Sequence, residues 1–280
     1  MTTENETYRP IRAISYPWKP APVIYISLFL HLFAFALLSI SIISWKWALA
    51  IIIANHIGIC LSVLFPKSSF IGLNETHLPA YAKQRNEVAI TFDDGPDPEI
   101  TPQVLDLLDQ HQVKASFFCI GEKVAKFPEI AKEIIRRGHT IENHSYHHSL
   151  FFSLFGFSKL HKELNEAQQV IYETTGQLPR YFRAPAGFRN PMLDPILAKN
   201  GLYYVSWTRR ALDGVTCNAE SALKRLLKSF SPGDILLLHD GTKARTNDNK
   251  AVVLIVLPML LDEAKSRGFK VVSLRQAFQQ

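Results

Sequence analysis

Residues 87–280 are predicted to form a parallel α/β fold of the barrel kind, and residues 21–65 an apolar helical hairpin ahead of it. Three observations lead there. Short apolar runs alternate with longer amphipathic ones through the C-terminal part of the chain, the pattern of βα units. The residues with chemical capability, Asp93, Asp94, His144, Arg183, Asp213 and His239, recur at the C-terminal ends of those runs, where barrels of this class carry their sites. Upstream, no residue from Val23 to Ser44 is charged.

Residues 1–20 form a polar tail with Arg9, Arg12 and Lys19. The uncharged stretch that follows is long enough to cross the roughly 30 Å apolar layer of a bilayer. It is also too long for a signal peptide and lacks a small-residue cleavage site. Trp45-Lys46-Trp47 suits a membrane interface, and a second uncharged run from Ala48 to Phe65 completes a transmembrane hairpin. The three basic residues before the first span, against one lysine in the turn, put the N-terminus in the cytoplasm. The C-terminal domain then lies on the cytoplasmic face if both segments span, and on the opposite face if the second is interfacial. Asn55 and His56 are expected as a polar pair packed between the two helices.

Residues 66–86 are expected to be a linker. Beyond them the candidate strands are Val88–Phe92, Ala115–Ile120, Thr140–Glu142, Tyr181–Arg183, Tyr203–Ser206, Asp234–Leu238 and Lys270–Val272. Helical patterns near Pro102–Gln110, Glu122–Arg137, Lys159–Thr174, Pro191–Asn200, Ala219–Ser229 and Val253–Arg267 separate them. Thr101 is expected to cap the first of these helices, with Pro102 at its first position.

Composition narrows the function. A net charge of +6 without a basic block interleaved with aromatics argues against nucleic acid as a partner. Three cysteines at scattered positions make neither a disulfide framework nor a thiolate metal site. The informative stretch is Val88-Ala89-Ile90-Thr91-Phe92-Asp93-Asp94-Gly95-Pro96, a buried strand that ends on two carboxylates. In Asn143-His144-Ser145-Tyr146-His147-His148, a helical turn would bring His144 and His148 onto one metal ion and leave His147 pointing elsewhere. Two histidines and one carboxylate leave a position open for water, as catalytic zinc sites require.

Asp93-Asp94, His144 and His148, Arg183-Ala184-Pro185-Ala186-Gly187, and Leu236-Leu237-Leu238-His239 resemble, in order, the motifs of the polysaccharide deacetylases, the carbohydrate esterase family with the NodB-homology fold. The resemblance runs from about Glu87 to the C-terminus. It implies a distorted barrel of about seven βα units and a metal-dependent hydrolase that removes N-acetyl groups from sugars. It further implies Asp93 as base, Arg183 as the residue that orients it, and His239 as acid. Asp94, His144 and His148 would bind a divalent ion, Zn²⁺ first among the candidates. In the third motif Pro185, Ala186 and Gly187 would line the sugar site, with Ala186 where the family has an aromatic. The fourth motif, Trp207-Thr208-Arg209-Arg210-Ala211-Leu212-Asp213-Gly214, keeps only its last acid, and Asp213 is expected to orient His239.

The departures from the family suggest a different substrate. Trp207 is expected to contact the substrate, and Arg209, Arg210, Lys243 and Arg245 are either solvated loop charges or cations clustered at the site mouth that bind phosphate. The stretch Leu150-Phe151-Phe152-Ser153-Leu154-Phe155-Gly156-Phe157 is either a buried satellite cluster or an exposed lipid-contacting loop. An acetylated sugar on a lipid phosphate, met at the bilayer, fits both features. The same residues would also serve an O-acetyl ester or a formamide. A catalytically silent glycan- or lipid-binding module is disfavoured because base, ligands and acid are all present.

Overall fold

The computed structural model describes residues 15–241 and 244–279. Two helices, α1 (Pro22–Ser39) and α2 (Trp45–Ser62), form an antiparallel hairpin, followed by a short α3 (Ala80–Gln84). The chain continues through β1 (Glu87–Asp93), α4 (Ile100–Gln110), β2 (Ser116–Cys119), α5 (Gly121–Lys126), α6 (Pro128–Arg136) and β3 (Thr140–Asn143). Next come α7 (Phe157–Thr175), β4 (Tyr181–Phe182), α8 (Leu193–Lys199), β5 (Tyr203–Tyr204) and β6 (Arg209–Arg210). It ends with α9 (Ala219–Leu227), β7 (Ile235–His239), α10 (Val252–Ser266), β8 (Lys270–Val272) and α11 (Leu274–Ala277).

Among the described residues all eight strands are parallel, in the order β5-β4-β3-β2-β1-β7-β6, with β8 beside the first half of β1. This is the predicted α/β barrel class with one strand more than expected. Arg209–Arg210 has no apolar signal because it is two charged residues long, paired in the sheet with Leu236 and Leu237 of β7. The helix expected over Glu122–Arg137 is two helices, because Pro128 starts a new one rather than continuing the old. The sheet does not close by pairing β5 to β6. Residues 75–78 fill that gap: Glu75 N–H donates to Tyr204 O (3.0 Å), Thr208 Oγ1 to Thr76 O (2.7 Å) and Leu78 N–H to Gly233 O (2.8 Å). The segment expected as a linker is thus bonded into the barrel.

Alternation along β1 sets what the site receives. Val88, Ile90 and Phe92 pack outward against Val104, Leu105 and Leu108 of α4 and Leu257 and Leu260 of α10. Ala89, Thr91 and Asp93 therefore face inward. Ala89 packs there with Phe118, Tyr181, Val205 and Ile235. At the start of α4 the expectation fails in detail. Thr101 lies inside the helix and donates its hydroxyl to Asp240 (2.6 Å), while Asp97 Oδ1 accepts from the N–H groups of Glu99 and Ile100 (2.9 Å each).

The hairpin carries the Asn55 and His56 pair as anticipated: Asn55 Nδ2 donates to Ser27 Oγ (2.8 Å), and the His56 and His31 rings meet edge-on at 5.3 Å. Only 11% of each helix is buried, and Phe29, Phe33, Phe35, Trp45 and Trp47 stand outside. Val23 N–H donates to Phe70 O, so the entry to α1 and the exit from α2 meet at the domain.

The base of the barrel depends on a buried carboxylate. Glu142, at the end of β3, accepts from the N–H groups of Arg180 (2.8 Å) and Tyr181 (3.0 Å) and pairs with Arg275 at 2.8 Å. Removing the cation leaves a buried charge unpaired, which costs roughly 3–5 kcal/mol. Arg275→Met is therefore expected to lower Tm by on the order of 10 °C, and Arg275→Met/Glu142→Gln to recover much of that in thermal denaturation. A double variant no more stable than the single one would count against this account.

Candidate active site

The registers of the sheet place the polar residues side by side. Asp93 and His239 are Cα partners on neighbouring strands β1 and β7, and His144 follows directly on β3. Arg183 follows β4, which pairs with β3 through Asn143 and Phe182. Asp93, His144 and His239 line a cavity of about 290 Å³ together with Asp94, His148, Ala186, Gly187, Trp207 and Arg210, and Arg183 is buried behind Asp93.

Adjacent strand residues point to opposite faces, so Asp93 and Asp94 could not both reach this cavity without a change of backbone. The change occurs at Asp94, whose φ is 74°. Lys123 Nζ secures that turn by donating to Asp94 O (2.6 Å) and Gly241 O (3.2 Å), which ties the loop after β1 to the loop after β7. Lys123 was not anticipated, since a lysine in a short amphipathic helix looks like an ordinary solvated charge.

Asp93 Oδ1 receives Arg183 Nη1 at 2.6 Å, and its Oδ2 lies 3.8 Å from His144 Nε2. Arg183 is fully buried and spends its other donors on Thr91 Oγ1 (3.0 Å), Val205 O (3.1 Å) and Ser206 O (2.7 Å). Across the cavity, His239 Nδ1 pairs with Asp213 Oδ1 (2.8 Å), and Asp213 Oδ2 accepts the His239 N–H (3.0 Å). Burial opposes charge on His239, but the hydrogen bond and charge of Asp213, helped by Asp94 and Asp93, raise its pKa to about 9. Asp240, the next residue, is no partner of His239. Burial pushes its carboxyl up to about 7 against the hydrogen bond from Thr101.

Asp94, His144 and His148 present ligand atoms within 4.8 Å of one another. His144 and His148 Nε2 lie 3.4 and 3.1 Å from Asp94 Oδ1. His144 Nδ1 donates to Arg183 O (2.8 Å), which leaves the Nε2 lone pair facing the other two groups. One carboxylate and two imidazoles oriented in this way fit a zinc-like divalent ion with an open position. The expected helical turn between the histidines is absent. They converge because Ser145 and His148 take φ of 61° and 53°, with Asn143 Oδ1 accepting the Ser145 N–H (2.9 Å). His147 turns away to Glu163 (2.9 Å). Burial opposes ionisation of Asp94, and the hydrogen bonds of His144 and His148 overcome it, holding this carboxyl well below the usual range.

The residues expected to contact substrate divide. Ala186, in a left-handed conformation (φ 54°), is exposed on the cavity, while Pro185 beneath it is buried. Gly187 (φ 77°) cannot be replaced, because a Cβ there would lie 2.5 Å from Trp207 and 2.9 Å from Pro66. Arg210 lines the cavity with its guanidinium 5.6 Å from the Trp207 ring. Arg209 instead faces away, bonded to Asp234 (2.7 Å), Lys228 O and Ser229 O. Arg245 is held by Glu99 at 2.8 Å, and Lys243 lies outside the described residues. The expected cluster of four cations thus reduces, among the described residues, to Arg210. Leu212 and Val215, unremarked in the sequence, supply apolar wall.

A family model for polysaccharide deacetylase matches residues 80–205. Peptidoglycan-N-acetylglucosamine deacetylase of Bacillus cereus is 35% identical over 68% of this chain and 86% of its own length. A chitooligosaccharide deacetylase of Bradyrhizobium is 34% identical over 71% of this chain and 97% of its own. Among solved structures, a peptidoglycan N-acetylglucosamine deacetylase in complex with 4-naphthalen-1-yl-N-oxidanyl-benzamide aligns with a TM-score of 0.67 and 29% identity, over 74% of this chain and 93% of that one. A pseudoenzyme of Bacillus anthracis, 23% identical with a TM-score of 0.66, shares the fold. The chain belongs to the polysaccharide deacetylase family, the carbohydrate esterases with the NodB-homology fold.

The His239 and Asp213 pair makes a pH-dependent contribution with a definite sign. A histidine whose pKa rises on folding adds stability below its unfolded value of ~6.5, and that stability is lost as pH rises through about 9. In Asp213→Asn the His239 imidazole is expected to titrate at lower pH by NMR. The stability advantage of the parent over this variant should shrink between those two pH values. An unshifted His239 titration would show that Asp213 does not hold the proton.

Proposed function

We propose that this protein is a membrane-anchored, metal-dependent hydrolase that removes an N-acetyl group from a sugar carried on a lipid phosphate. The observation that carries the hydrolytic part is the flanking of one three-ligand group by two hydrogen-bonded ion pairs, Asp93 with Arg183 and His239 with Asp213. The relatives that act on peptidoglycan N-acetylglucosamine and chitooligosaccharides support the N-acetyl sugar.

Asp94, His144 and His148 would hold the ion, which when bound acidifies water and polarises the acyl carbonyl. Asp93 accepts a proton from the attacking water through Oδ2, its other oxygen being fixed by Arg183. The N–H of Ala186 is available to the oxyanion. As the carbon–nitrogen bond breaks, His239 gives the Nε2 proton to the departing amine, while Asp213 keeps Nδ1 protonated and the ring oriented. Acetate and a free amine leave.

The lipid-phosphate part rests on Arg210 and on the hairpin. Among the described residues Arg210 is the arginine or lysine of the cavity wall, and Lys67, five residues beyond α2, donates to Thr208 O (2.5 Å). Two 18-residue helices of mean hydropathy 2.0 and 1.4, each only 11% buried, support a hairpin that crosses the bilayer twice. With Arg9, Arg12 and Lys19 ahead of it, the domain lies on the cytoplasmic face.

His148→Ala is expected to lose the metal by elemental analysis and His147→Ala to keep it. Because His144 must shed a proton to ligate, and the neighbouring Asp93 and Asp94 favour its protonated form against burial, metal affinity should fall as pH falls. Asp93→Asn should retain metal and release no acetate from N-acetylated sugars, and loss of metal instead would exchange the roles of the two aspartates. One charge-assisted contact contributes on the order of 1.5–3 kcal/mol. Arg210→Ala should therefore lower kcat/KM for a lipid-linked sugar by roughly tenfold or more, with little effect on a free one. Equal losses on both substrates would remove the phosphate from the proposal.

A further inference from the structure

The apolar stretch after His148 is neither of the two alternatives its sequence offered. Phe152 is buried, its ring 5.7 Å from that of Phe182, and Phe155 packs beside it at 5.9 Å. Leu150, Phe151 and Leu154 point outward at 79%, 67% and 78% exposure. Half of the segment is therefore a root and half a tip. A single 3₁₀ turn, Phe152–Leu154, and two bonds from Asn190 Nδ2, to Ser153 O (2.8 Å) and Phe155 O (3.0 Å), fix the root. Three large apolar side chains within five residues, presented by an anchored loop, differ from the scattered exposed leucines of an ordinary surface.

The neighbours of this loop say what it faces. Arg189, next to Asn190, donates to Leu73 O (2.7 Å), Gly72 O (2.7 Å) and Ser68 O (3.1 Å), all in the segment that leaves α2. Two consecutive residues thus hold the apolar tip and the exit of the hairpin together. Pro66 of the same exit packs near Gly187 and Trp207 in the cavity wall. Lys159, just beyond the tip, lays its ammonium 3.7 Å from the Phe155 ring and suits a layer of anionic headgroups.

We infer that Leu150, Phe151 and Leu154 form a third membrane contact, beside the hairpin, that seats the mouth of the active cavity on the bilayer surface. The partner is the lipid surface itself. This rests on the hairpin being membrane-embedded, so the two must be tested apart.

The full chain carrying Cys60→Ser and Cys217→Ser is reconstituted in phosphatidylcholine–phosphatidylglycerol vesicles, with one added cysteine bearing an environment-sensitive fluorophore. Leu154→Cys reports on the tip. Arg136→Cys, at the end of α6 just before β3 begins and so at the opposite end of that strand from His144, is the control. Spin-labelled lipid should quench the Leu154 label at least twofold more than the Arg136 label, and aqueous iodide should do the reverse. Carbonate extraction of the same vesicles tests the hairpin. Protein retained in the membrane with both labels equally open to iodide overturns the loop contact alone, whereas protein released overturns the hairpin and the contact with it. Protection of Leu154 that persists in amphipol without lipid and rises with protein concentration would assign the tip to a second copy of the chain and also overturn the inference. As a functional readout, Leu150→Ser/Phe151→Ser/Leu154→Ser should raise KM severalfold for a vesicle-borne acetylated sugar while leaving metal content and turnover of a soluble one unchanged.

Discussion

A buried guanidinium holds the centre of this protein together. Arg183 has no contact with solvent, yet its donors reach Asp93, Thr91 and two backbone carbonyls, and its plane lies 4.0 Å from the Phe118 ring. A buried charge is tolerated only when it is paired and its hydrogen bonds are met. Meeting them draws β1, the end of β4 and the turn after β5 toward one point. The same contact fixes one oxygen of Asp93 and leaves the other to the cavity. One interaction therefore serves both the curvature of the sheet and the orientation of the base.

The loops around that centre pay for their geometry in backbone strain. Asp94, Ser145, His148 and Ala186 all take left-handed conformations without being glycine, and each borders the cavity or supports a residue that does. Such residues cost of order 1–3 kcal/mol each and persist only where their surroundings hold them. Lys123 holds the loop of Asp94, and Asn143 holds Ser145. The ligand triad is a product of these supports as much as of the ligands themselves.

The exit of the helical hairpin lies beside the cavity wall. The exit from α2 touches the wall around Gly187 and Trp207, and Arg189 and Asn190 join that exit to the loop that follows the histidines. Under the proposed membrane anchoring, the enzyme would meet its substrate at a surface, with the pocket next to the point where the hairpin leaves the bilayer.

The alternation of apolar and amphipathic runs was enough to place the fold class and seven of the strands, because burial on both faces of a parallel sheet writes itself into composition. The motifs were legible for a related reason: Asp93 and His239 end strands and His144 and Arg183 follow directly on them, so position along the chain and position in the site coincide. What the sequence could not carry were contacts between distant segments that leave no periodic trace. Arg209 and Arg210 are adjacent and alike in sequence, yet one binds Asp234 and carbonyls while the other faces the cavity, since neighbours on a strand point to opposite sides. The histidines met through two left-handed residues rather than a helical turn, and Lys123 found its carbonyls across the barrel. Sequence determined which groups were available and on which strand ends; tertiary structure decided which of them share a cavity, because only packing chooses the direction of a side chain.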